Sequence, residues 1–64
     1  MKVIELIKLI KTKGVTVYTL VTVGNGTLQI EMKKACILAK LTSFDDKDFD
    51  VNITINKQGN VIIN

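Results

Sequence analysis

The 64-residue chain contains no histidine and no arginine, and only one cysteine and one tyrosine. Without histidine it lacks the side chain that most often moves protons near neutral pH, and the usual zinc frameworks are absent as well. The lone Cys36 can close no intrachain disulfide, so packing alone must hold the fold. A nucleophilic thiol needs a neighbouring base; with none of the usual kind present, Cys36 is expected to pack as a small hydrophobe. Without arginine forks, and with Tyr18 the sole tyrosine, the common tools of base stacking and bidentate phosphate recognition are missing. Nor is there a long apolar run. Glu5 and Lys8 interrupt the N-terminal stretch, and no segment approaches the roughly 20 residues that span a bilayer. These features read as a cytosolic protein without membrane contact, in which the glycosylation-like triplets at 25–27 and 52–54 are accidental.

What is abundant is aliphatic carbon. Val, Ile, Leu, Met and Phe supply 26 of the 64 residues, and mean hydropathy is +0.30. A chain this short hides only about 60% of its unfolded surface on folding, so that content exceeds what one small core can bury. Some of it is expected to be covered by another subunit. Charge is uneven along the chain. Residues 1–44 carry seven lysines against Glu5 and Glu31, net +5, while 45–64 carry Lys47 and Lys57 against four aspartates, net −2.

The order of elements reads as α-β-β-α-β-β in a single domain, residues 1–64. Val3, Ile4, Leu6, Ile7, Leu9 and Ile10 fall on one side of a helix and Lys2, Glu5, Lys8, Lys11 and Thr12 on the other, with Gly14 placed as a left-handed cap. "VTVYTLVTV" (15–23) alternates and is β-branched, "GNG" supplies a turn, and Leu28 and Ile30 resume the alternation, which makes 15–31 a hairpin. The turn matches no phosphate-binding glycine spacing. Strong helix formers predict a second helix over 31–44, its apolar face built on Met32, Ala35, Leu38, Ala39 and Thr42 and widened by Ile37 and Leu41. Val51, Ile53 and Ile55 alternate with Asn52, Thr54 and Asn56, and "KQGN" returns the chain into "VIIN". The expected architecture is α+β: an antiparallel sheet of two hairpins with two helices.

Between helix and strand, "DDKDFD" places Asp45, Asp46, Asp48 and Asp50 within six positions. Asp46-x-Asp48-x-Asp50 imitates the first half of a calcium loop, but Val51 and Lys57 stand where that loop needs Gly and a bidentate Glu. The preferred reading is a solvated acidic turn, with a protein-recognition patch next and a metal site after it; Phe49 is expected to turn inward as a core anchor. No cofactor is expected, and no pair of acids sits where apolar surroundings would separate two pKa values for acid–base work.

The hairpin, the "KKACILAKLTSF" segment, the "DVNITINKQG" strand and the opening "MKVIELIKLI" together resemble very small phage- and prophage-encoded proteins of low-GC bacteria. That resemblance implies a non-enzymatic interactor: an inhibitor of a host protein or of a defence factor such as a CRISPR nuclease, acting by protein binding. The alternative is a nucleic-acid-binding module using Lys2, Lys8, Lys11, Lys13, Lys33, Lys34 and Lys40. Self-association is expected in either case. If helices cover one face of the sheet, Tyr18, Leu20 and Ile62 form a patch on the other, and a symmetric dimer forms face to face or by pairing edge strands.

Overall fold

A computed structural model describes residues 1–64 in full. The elements are helix α1 (Val3–Lys13), strands β1 (Val17–Val23) and β2 (Gly26–Met32), helix α2 (Lys34–Thr42), and strands β3 (Ile53–Ile55) and β4 (Val61–Ile63). Two helices lie against one four-stranded sheet whose strand order is β2-β1-β4-β3.

The sheet is mixed, which corrects the all-antiparallel expectation. β1 pairs with β2 antiparallel, Val17 opposite Met32 through Val23 opposite Gly26, and β3 pairs with β4 antiparallel. The two hairpins meet in a parallel junction, Val17 beside Val61 and Thr19 beside Ile63. The physical reason is α2, which carries the chain back so that β4 enters the sheet in the direction of β1. The junction covers Val17–Thr19 alone, so from Leu20 onward the β1–β2 ribbon has no strand on the β4 side.

Helix α1 forms where periodicity placed it. Val3, Leu6 and Ile10 are fully buried, and Gly14 ends it at φ 63 with its N–H donated to the Ile10 carbonyl at 3.1 Å. The second helix starts at Lys34 rather than residue 31. Glu31 and Met32 belong to β2, held opposite Tyr18 and Val17, because the ladder to β1 outweighs their helix propensity. Its buried residues are Ile37 and Leu41, whereas Ala35, Cys36, Ala39 and Thr42 are exposed. The expected apolar face is therefore turned by about one residue, and Cys36 presents its thiol to solvent instead of packing.

The core consists of Val3, Leu6, Ile7, Ile10, Val17, Ile37, Leu41 and Val61, the only eight buried residues of 64. Val17 and Val61 fix which sheet face the helices cover. By alternation that face also carries Val21, Val23, Leu28 and Ile30, yet these are 39–55% exposed. At 1.5 Å per helical residue and about 3.3 Å per strand residue, helices of 11 and 9 residues run out before a seven-residue hairpin does. The molecule is less compact than the average chain of its length. The accessible surface of 4552 Å² exceeds the roughly 4,100 Å² of a compact 7.1 kDa monomer. The radius of gyration, 11.9 Å, exceeds the roughly 10.7 Å of a compact 64-residue chain.

Candidate functional site

The acidic segment is built into the fold as a clasp on α1. A helix leaves its first backbone N–H groups without partners inside itself. Here Val3 donates to the Phe49 carbonyl at 2.9 Å and Ile4 to the Lys47 carbonyl at 3.0 Å, while Lys2 N–H reaches Glu5 Oε1 at 3.4 Å. Met1 and Val51 exchange two further hydrogen bonds, Val51 N–H to the Met1 carbonyl at 2.7 Å and the terminal ammonium to the Val51 carbonyl at 3.1 Å. Charge follows the same path. Asp50 lies 3.2 Å from the terminal ammonium and Asp48 lies 3.8 Å from Lys2 Nζ, so carboxylates gather at the positive end of the α1 dipole. Asp46 Oδ1 accepts the Asp48 N–H at 2.9 Å, and Lys47 Nζ donates to the carbonyls of Thr42 and Phe44.

Asp45, Asp46, Asp48 and Asp50 are all exposed, and nowhere do three Asp, Glu or Cys side chains converge as metal ligands would. Phe49 does not anchor the core. It is 53% exposed and packs against Phe44 with ring centroids 5.8 Å apart and planes tilted by 52°, because its carbonyl is committed to capping α1 and its side chain is left on the outer surface.

The seven lysines sit on the helical layer: Lys2 at the N-cap of α1, Lys8, Lys11 and Lys13 along it, Lys33 at the N-cap of α2, Lys34 and Lys40 within it. All are exposed, and Lys2 alone has a carboxylate partner. The N-terminus of α2, where a dipole favours anions, has no acidic residue in its first turn and no side-chain cap.

The open face of the sheet carries Tyr18, Leu20 and Ile62. Register places Tyr18 beside Ile62 across the parallel junction, both half-buried, and Leu20 two residues further along β1 at 41% exposure. The structure thus brings these three together. It adds a larger apolar surface on the helix side of the ribbon, Val21, Val23, Leu28 and Ile30, whose alternation was visible in the sequence but whose lack of cover was not. The single recess, about 140 Å³, opens between the end of α1 and the start of α2, with Glu31 and Lys34 as its charged lining.

No family model matches the chain, and neither a curated protein nor a solved structure is significantly similar to it.

Proposed function

We propose that this is a small non-enzymatic interaction protein that acts by binding other protein surfaces as a homo-oligomer, with its sheet as the contact surface. The observation that carries the reading is the incomplete cover of that sheet. Helices shield one face over less than the length of the β1–β2 ribbon, and six large apolar side chains of the sheet, Leu28 and Val23 foremost, are more than a third exposed. Val21, Val23, Leu28 and Ile30 are neighbours on one face of the ribbon, and exposed apolar residues grouped in this way mark an interaction site. The resemblance to small phage proteins supports a host or defence factor as the partner. Light scattering on the purified protein is expected to give a stable dimer or larger assembly across micromolar concentrations; a monomer throughout would remove the homo-oligomer from this reading.

A second reading, nucleic-acid binding, is favoured by the segregation of seven exposed lysines onto the helical layer, six of them without carboxylate partners. Its signature is salt. Each duplex phosphate contacted adds about −0.9 to the slope of log affinity against log salt. Failure to retain single- or double-stranded DNA even at low ionic strength excludes it.

A further inference from the structure

We propose that β2 is the self-association edge and that its occupant is the β2 of a second copy, joined antiparallel about Gln29 into one continuous eight-stranded sheet. The proposal rests on the interaction reading above and deepens it by naming the surface and the register.

The strand order leaves two edges, β2 and β3. β3 is three residues long, and a short edge is a poor template. β2 is seven residues long, pairs one-to-one with β1 without a bulge, and contains no proline and no lysine; Glu31 is its one charge. None of the devices that blunt an exposed edge is present along its first five residues.

Backbone geometry then fixes which groups face outward. The two-residue turn at Gly24 and Asn25 makes Val23 and Gly26 a hydrogen-bonded pair, and such pairs alternate along an antiparallel ladder. Gly26, Leu28, Ile30 and Met32 therefore bond to β1, while Thr27, Gln29 and Glu31 turn their N–H and C=O groups to the free edge. No hydrogen bond formed outside helices and strands engages these three.

A second copy placed antiparallel must oppose residues of like parity for the two helical layers to lie on one side of a continuous sheet. Centring on Gln29 opposes Thr27 to Glu31, Gln29 to Gln29 and Leu28 to Ile30, and it uses all three outward residues, giving about six hydrogen bonds. Centring on Leu28 sets Glu31 opposite the turn residue Asn25, and centring on Ile30 sets Thr27 opposite Lys33 beyond the end of β2, so each leaves one outward residue without a strand partner. At the chosen centre no two charges are opposed, because Glu31 faces Thr27 in each half. The carboxamides of Gln29 meet on the two-fold axis and can donate to each other. Leu28 and Ile30, 54% and 46% exposed in one copy, form close non-hydrogen-bonded pairs, where cross-strand side chains pack best. The dimer would cover the free edge of β2 and part of the exposed Leu28 and Ile30 side chains beside it.

Hydrogen exchange of the unmodified protein, combined with sedimentation, tests the inference. In the dimer the amides of Thr27, Gln29 and Glu31 are expected to exchange at least about tenfold more slowly at high than at low protein concentration. Gln29→Pro removes an outward N–H without touching the β1 ladder, and is expected to weaken dimerisation about a hundredfold or more. Ile30→Lys is a second edge variant for use if the proline variant lacks a cooperative unfolding transition; it too is expected to give monomer. Leu20→Asp, on the open face, should leave the dimer in place. A dimer in which those three amides exchange freely, or one that Leu20→Asp dissociates and the edge variants do not, overturns the edge assignment while leaving the interaction reading intact. A monomer at all concentrations overturns both the edge and the homo-oligomer, which neither variant is needed to reveal.

Discussion

The Asn60 carboxamide oxygen accepts the Thr16 N–H at 3.0 Å, and the Asn60 N–H goes to Asn56 Oδ1 at 2.9 Å. One side chain thereby joins the β3–β4 turn to the entry of β1, where Val61 N–H also reaches the Thr16 carbonyl at 2.9 Å. Asn60→Ala leaves the Thr16 donor unpaired in a partly buried place. It is expected to cost about 1–2 kcal/mol, read as a lower urea midpoint at unchanged slope. Leu6→Ala, at a fully buried site, should cost about 2–5 kcal/mol, whereas Phe49→Ala, on an outer surface, should cost under about 1 kcal/mol; the contrast checks the exposed placement of Phe49. Leu6 was legible in the sequence because helical period alone puts it inward. Asn60 was not, since its partner lies 44 positions away, and Phe49 was misread because hydrophobicity says nothing of a backbone carbonyl already committed to a cap.

At the scale of elements, α2 is the least favourably started. Lys33 occupies its N-cap with extended backbone, φ −61 and ψ 135, but offers no acceptor, and Lys34 adds positive charge to the first turn. Lys33→Asp is therefore expected to stabilise the protein by about 1 kcal/mol in thermal or urea unfolding. If the lysine layer binds polyanions, the same change should weaken that binding, so the two measurements together tell whether a poor cap has been kept for contact. This missing signal is also why the start of α2 could not be read. "EMKKACILAK" is uniformly compatible with helix, and only the ladder to Tyr18 and Val17 holds Glu31 and Met32 extended. The hairpins were legible from alternation and glycine, but the parallel junction was not, because Val61-Ile62-Ile63 alternates identically whichever direction its neighbour runs.

For the whole molecule, stability and assembly are coupled. If the folded state is a dimer, mass action raises its melting temperature with concentration, by about 5 °C for each tenfold increase in a dimer of two 64-residue chains. Calorimetry over two decades of concentration checks this, and an invariant transition would mean that the monomer folds alone. The surplus of aliphatic residues was legible from composition; its location was not, since that depends on helix lengths measured against strand lengths. The parallel junction bears finally on the order of folding. The helices and the β1–β2 hairpin close over a few residues and form within microseconds, but Val17 meets Val61 across 44 positions and Met1 meets Val51 across 50. Such closures carry a large entropy and set the folding rate. The hairpin is therefore formed before β4 joins it, completion of the sheet is the slow step, and substitutions at the hairpin turn should change the folding rate more than the unfolding rate.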